Sequence, residues 1–417
     1  MPEKNGCGKT VVIAATLDTK SVEIEFVRRE IEARGLSVVL VDCGILGQAS
    51  VTADISAERI AIAGGSSLEA LRGARNRETA IPVIIAGLQA WLREMIEAQM
   101  IDGYYGIGGG TNAALAAAAF EVLPFGMPKM LVTTVASGNT RPFVGMKDVT
   151  LVHSVVDILG LNAYLRNVVR QSVAGFSGMV EAYSTRSSSS EGQAARIGLT
   201  AYGATTTAAS RLEQRLTAAG AEVLTFHARG IGGLAMEAFI REGRISAVLD
   251  LTTTEVADEI VGGACSAGPL RLEAAGSAGL PQVVLPGAID MVNFGPRSTV
   301  PERFKGRQFV SHTPNATLMR TTVEENVLIA RFIARKLNAA NGPVKVVLPL
   351  RGFSDYSGEG GVFWAPEADQ AFIAEIRNQL NSDIPVELVD AHINTPETVE
   401  VAYASLASLG GLSGGIE

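Results

Sequence analysis

Charge is scarce in this chain of 417 residues: Asp, Glu, Lys and Arg make up 19%, and aromatic residues only 6%. The balance is acidic, at -8 near neutral pH, and no block of Lys or Arg occurs. General binding to nucleic acid or to an anionic membrane is therefore not expected. Apolar runs such as Val38 to Val41 and Ala113 to Val122 stop well short of the roughly 18 residues a membrane helix requires. The start, MPEKNGCGKT, lacks the apolar stretch and small-residue cleavage site of a secretory signal, so a cytoplasmic location is expected. Three cysteines, Cys7, Cys43 and Cys265, stand apart and never form a CxxC pair, which supports neither a disulfide framework nor a zinc site. No HExxH occurs, which removes a compact metal motif.

What is abundant is small and apolar: 47% hydrophobic residues and 45 glycines. Length and composition predict a globular chain of two domains. β-rich apolar runs at Lys9 to Leu17 and Leu36 to Val41 flank a helical pattern over Ser21 to Arg34, a βαβ unit. The alternation continues with a helix near Ile81 to Met100, strands at Gly103 to Ile107 and Lys129 to Val135, and helices at Asn112 to Val122 and Leu161 to Ala174. The polar run STRSSSSEGQ marks a linker over 184–195, between an N-terminal domain (1–183) and a C-terminal domain (196–417). The pattern then restarts with strands at Arg196 to Tyr202, Glu222 to Phe226, Ala247 to Leu251, Gln282 to Leu285, Val344 to Leu348 and Val386 to Val389. Continuous apolar strands between helices predict an α/β fold of two Rossmann-like, doubly wound domains with mainly parallel sheets.

Gly6-Cys7-Gly8-Lys9-Thr10 imitates the end of a P-loop, but the first glycine would fall at Glu3 and the segment precedes its strand. The stronger signal is Gly106-Ile107-Gly108-Gly109-Gly110-Thr111-Asn112, which follows a strand and opens an alanine-rich helix. Missing side chains and a helix N-terminus there suit a phosphate or carboxylate; the alternative is a tight turn for close packing. Asp18 and Lys20 follow the first strand, Lys20 fitted to phosphate and Asp18 to a ribose hydroxyl, a metal or a capping amide. Thr134, Ser137, Gly138, Asn139 and Arg141 follow the fourth, and Arg141 suits an anion. In a parallel sheet these three loops would converge on one cleft.

In the C-terminal domain His227-Ala228-Arg229-Gly230-Ile231-Gly232-Gly233 follows a strand, with Glu237 one turn on. His227, Glu237 and Asp290 are the expected catalytic groups, and Arg229, Asn293, His312 and Arg351 the expected substrate contacts. His392 also lies at a strand end. No metal site is expected from this spacing.

The segments TLDTK (16–20), GIGGGTN (106–112), TTVASGN (133–139), HARGIGG (from His227) and PGAIDMVNFG (286–295) resemble the tomato mosaic virus resistance protein family and its stand-alone bacterial relatives. The resemblance runs through nearly the whole chain. It implies two Rossmann-like subdomains, ATP binding in the N-terminal part and a homodimer; the plant form's antiviral role is not carried over. The expectation is an ATP-binding enzyme acting on a sugar acid or similar small polar metabolite, with Mg²⁺ as the nucleotide's companion. The alternatives are a nucleotide-sensing interaction protein without turnover, and a nucleotide-independent enzyme on a sugar acid.

Overall fold

The computed structural model describes residues 8–74, 77–186 and 194–413. The chain divides into two compact units, Met1–Glu191 and Gly192–Glu417. Most of the serine-rich linker expected at 184–195, and Gly6 and Cys7 of the P-loop imitation, lie outside the described residues, while Gly8 to Thr10 lead into the first strand.

Among the described residues the first unit has five strands: β1 (Thr10–Ala15), β2 (Ser37–Asp42), β3 (Gly103–Gly108), β4 (Lys129–Thr133) and β5 (Thr150–His153). They form one parallel sheet in the order β2-β1-β3-β4-β5. Every residue of β1 is buried, and its side chains alternate between two cores. Val11, Ile13 and Ala15 enter one, Val12 and Ala14 the other, as the two-residue period of a strand dictates. The helix Leu17–Glu32 buries Leu17, Ile24, Val27 and Ile31 in the first core, whereas the helix Gly110–Val122 buries Ala113, Leu115, Ala116 and Phe120 in the second. The chains leaving β1 and β3 thus depart to opposite faces of the sheet. That divergence opens a crevice at the strands' carboxyl ends, where ligands of doubly wound folds bind.

The helix Arg77–Glu97 is the one helix among the described residues long and apolar enough to cross a membrane by length and composition. Its Ile84, Leu88, Trp91, Leu92 and Met95 are buried in a core.

The second unit repeats the plan. Its strands are β6 (Arg196–Ala201), β7 (Glu222–His227), β8 (Ala247–Thr252), β9 (Gln282–Gly287), β10 (Met291–Phe294), β11 (Phe309–Thr313), β12 (Ala316–Arg320), β13 (Val344–Pro349) and β14 (Val386–Val389). Six form a parallel sheet in the order β14-β13-β9-β8-β6-β7. Counted along the chain, that sheet also begins second, first, third, fourth. Between β9 and β13 an antiparallel sheet, β10-β12-β11, is inserted. The fold class is therefore α/β, two doubly wound Rossmann-like units with mainly parallel sheets.

Candidate functional site

In the first unit a cavity of about 190 Å³ occupies the crevice between β1 and β3. Its polar rim comes from Thr16, Asp18, Thr19 and Lys20 on one side and Gly109 to Asn112 on the other. Ile45, Leu46, Ile81, Ile84 and Leu115, with Cys43, supply an apolar wall. Gly109 precedes the helix Gly110–Val122 in extended conformation, and no side chain caps that helix. The first-turn amides therefore carry the positive end of the helix dipole without a side-chain acceptor.

The three glycines have different tasks. Gly108 holds φ +151°, and a Cβ there would lie 2.4 Å from Cβ of Asn112, so it is required by packing. A Cβ on Gly109 would meet only Thr134 Oγ1, at 4.0 Å, and one on Gly110 nothing within 4 Å. Those two leave space for something else. Buried Asn112 is committed to the scaffold: its Oδ1 accepts from Thr16 N and Thr16 Oγ1 at 3.1 Å, and its Nδ2 donates to Ile107 O at 3.2 Å. It ties the carboxyl ends of β1 and β3 together.

Asp18 Oδ2 accepts from the amides of Leu46 (2.7 Å) and Gly47 (3.3 Å), which fixes the loop after β2. Its buried Oδ1 has no partner. Lys20 leaves helical geometry (φ -130°, ψ 17°) and donates to Ile158 O. Asp42, accepting from Leu17 N and Gly44 N, has its pKa raised by burial, with Asp18 adding to the effect. Burial also pushes the Cys43 thiol far up, so it lines the cavity as a neutral group.

The loop after β4 lies outside this lining. Thr134 approaches Gly109, but Ser137, Gly138, Asn139 and Arg141 are exposed and border no part of the cavity. Two of the three loops expected to converge do so; the third meets them at Thr134. Mg²⁺ is commonly held through one or two carboxylates plus phosphate oxygens. Asp18 is the one carboxylate in the lining, so the residues fit a cation arriving with a nucleotide.

The glycine-rich turn of the second unit is filled from within. Glu255 Oε1 accepts from the amides of Gly230 (2.5 Å) and Gly233 (3.1 Å) at the start of the helix Ile231–Arg241. A Cβ on Gly233 would fall 2.0 Å from Glu255 Oε2, and one on Gly232 1.9 Å from His227 O. Fully buried Arg271 binds Glu255 at 2.8 Å and Asp250 at 2.6 and 2.7 Å, and approaches Glu237 at 3.5 Å. Burial opposes this guanidinium's charge, but the three carboxylates override it and hold its pKa well above the ordinary value. Glu255 is raised by burial, against the pull of Arg271 and the two amides.

Glu237 therefore does not orient His227. Its two oxygens accept from the amides of Leu272 and Ala274, each at 2.7 Å. His227 is exposed and stacks on Tyr202, with ring centroids 5.7 Å apart. Asp290 belongs to another network: Oδ2 accepts from Ser354 Oγ at 2.6 Å, Oδ1 is buried without a partner, and burial raises its pKa against the field of Arg320. The three expected catalytic groups thus occupy three separate settings. Arg229 is exposed, with the Cys265 side chain beside it. Asn293 is saturated by Tyr202 Oη (2.7 Å), Thr254 Oγ1 (3.3 Å) and Asp258 Oδ2 (2.6 Å). Exposed His312 meets Tyr356 Oη at 2.9 Å, and exposed Arg351 pairs with Asp390.

The apolar wall of the first cavity went unread in the sequence because isoleucine and leucine carry no chemical signature. Its signal was positional: Ile45 and Leu46 follow the second strand directly, one strand from the glycine-rich loop.

Residues 9–185 match the N-terminal domain, and residues 194–410 the C-terminal domain, of the uncharacterised protein family UPF0261. A UPF0261 protein of Clostridium tetani is 42% identical over 386 residues, covering 93% of this chain and 95% of its own. The ToMV resistance protein Tm-1(GCR237) of Solanum lycopersicum is 40% identical over 325 residues, which are 77% of this chain and 43% of the tomato protein. A solved UDP-N-acetylglucosamine 2-epimerase from Rickettsia bellii aligns over 66% of this chain and 78% of its own, at 11% identity and a TM-score of 0.23, too slight a likeness to carry an argument. Both halves of the chain, and relatives matching it nearly end to end, lead to one conclusion: the chain belongs to the UPF0261 family.

Proposed function

We propose that the N-terminal unit binds ATP in the crevice between β1 and β3. The observation that carries this reading is the uncapped N-terminus of the helix Gly110–Val122, opening on a cavity whose far wall is apolar. Phosphate oxygens are accommodated by the amides at Gly109 to Thr111, helped by the Lys20 ammonium, because helix N-termini favour anions. The wall of Ile45, Leu46, Ile81, Ile84 and Leu115 suits the flat face of a base. Asp18 Oδ1, buried without a partner, is available to a ribose hydroxyl or to Mg²⁺. Nothing in the lining recommends a free carboxylate over a nucleotide, since a small acid would leave the apolar wall unused.

The fuller reading is an ATP-dependent enzyme of small polar metabolites. It is supported by a second open hollow in the C-terminal unit, at the carboxyl ends of β13 and β14. A homodimer and cytoplasmic residence belong to the same proposal. Titration calorimetry with ATP tests its core. Valine at Gly109 keeps an extended backbone and meets no clash at Cβ, yet its methyls fill the anion's space. Gly109→Val should fold as wild type and lose at least about tenfold in ATP affinity, one charged hydrogen bond's worth. Undiminished affinity in the folded variant would refute the site.

A further inference from the structure

The carboxyl ends of β13 and β14 border an open hollow of about 530 Å³, lined by Leu350, Arg351, Gly358, Glu359, Trp364 and His392. Trp364 is 52% exposed although its backbone is fixed: its amide donates to Gly361 O at 3.0 Å, and buried Phe363 before it donates to Tyr356 O at 2.8 Å. The loop therefore presents an indole face instead of burying it. Trp91, the other tryptophan, is buried in the first unit.

The polar groups narrow what the indole receives. Arg351 donates to both oxygens of Asp390, at 2.8 and 2.9 Å, and also feels the Glu359 charge. One cation beside two carboxylates leaves the hollow without the positive excess that an anion needs, and with Asp390 neutralised by Arg351 only the exposed Glu359 carboxylate remains for a cation, a single solvent-screened charge. His392 adds no free polar atom: Nε2 donates to Ser354 O at 2.8 Å, and Nδ1 accepts from Asn394 N at 3.2 Å. What remains is an aromatic face flanked by fixed donors and acceptors, which matches a neutral ring bearing many hydroxyls.

We propose that this hollow is a binding site for a neutral monosaccharide, its C–H face on Trp364 and its hydroxyls bridging Arg351, Asp390 and Glu359. The backbone supports this placement. A Cβ on Gly352, at φ +120°, would lie 2.9 Å from His392 Cδ2, and one on Gly358 3.3 Å from the same atom. The glycines thus let the loop close on the imidazole and shape the floor.

The test is tryptophan fluorescence of the full chain titrated with glucose, galactose, mannose, xylose and ribose, and with glucuronate and tetramethylammonium as charged competitors. At least one neutral sugar should produce a saturable change that Trp364→Ala abolishes and Trp364→Phe retains by calorimetry. Arg351→Ala should weaken it about tenfold, the loss of one charged hydrogen bond. ATP affinity should not change in any of these variants, which separates failure here from failure of the nucleotide site. No saturable response to any of the five sugars, a response that survives Trp364→Ala, or tighter binding of glucuronate or tetramethylammonium would each overturn the proposal.

Discussion

The two units share a strand order and differ in what stands where the third strand of each sheet ends. After β3 come Gly109, Gly110 and Thr111; after β8 come Thr253, Thr254 and Glu255. In the first unit the helix that follows is uncapped and faces a cavity. In the second, Thr205 Oγ1 meets Thr252 Oγ1 at 2.7 Å, Asn293 links Tyr202 to Asp258, and Glu255 lies on the amides of a neighbouring helix. A glycine-rich turn at a strand end presents free amides in the first unit, where we propose an anion binds, whereas the second unit has supplied its own anion, Glu255. Topology fixes where a crevice opens, and the side chains decide whether it stays open.

The comparison is most severely tested at the internal anion's partner. Arg271→Leu strands Glu255, Asp250 and Glu237 in a dry interior, and should cost the second unit about 3–5 kcal/mol, the usual result of breaking a buried ion pair. Urea denaturation followed by circular dichroism checks this. A loss below about 1 kcal/mol would mean the network is not what fills the turn.

The polar plug should also respond to acid. Burial raises the Asp258 pKa to about 7 from 3.8, against the pull of Asn293 and two backbone amides. The folded unit then holds a proton that the unfolded chain releases, so stability falls as pH rises from about 4 to 7, by at most about 1.4 kcal/mol per pH unit. Asp258→Asn should remove its share of that slope, leaving the share of Asp369, which burial also raises to about 7. Parallel profiles for variant and wild type across the window would show that Asp258 titrates normally.

Glycine substitutions sharpen the contrast. Gly233→Ala sets a methyl 2.0 Å from the Glu255 carboxylate and should destabilise by about 1–3 kcal/mol through overpacking, leaving ATP affinity untouched. Gly110→Ala meets open space; its stability should stay within about 0.5 kcal/mol while nucleotide binding weakens. Thermal melts paired with calorimetry decide it, and equal effects on stability would erase the distinction. The smallest difference concerns two cations. Lys20→Ala should weaken ATP binding by about 1.5 kcal/mol, and Arg141→Ala not measurably, because Lys20 lines the cavity and Arg141 does not. Equal losses would extend the site to the β4 loop.

Much of this frame was legible in the sequence. Buried parallel strands read as unbroken apolar runs, and β1, β3, β8 and β14 fall within two residues of their expected limits. β5 was missed because its four residues, Thr150–His153, are only partly buried. The insertion β10-β12-β11 was missed because Met291–Phe294 follows β9 so closely that it read as a loop. For the site, glycine spacing located the uncapped helix N-terminus that lines the cavity of the first unit. The same cue misled at Gly230–Gly233, since the carboxylate occupying that turn, Glu255, comes from a different element 22 residues away from Gly233. Which helix N-terminus is already satisfied is a long-range fact, and local patterning carries no trace of it.

The most direct test of the central claim is a crystal structure of the full chain grown with ATP and Mg²⁺. The account predicts phosphate density against the amides of Gly109 to Thr111 and the base against Ile45, Ile81 and Leu115, with Glu255 unmoved on Gly230 and Gly233. Nucleotide density at the second unit's glycine-rich turn with Glu255 displaced, or none in the β1–β3 crevice, would contradict it.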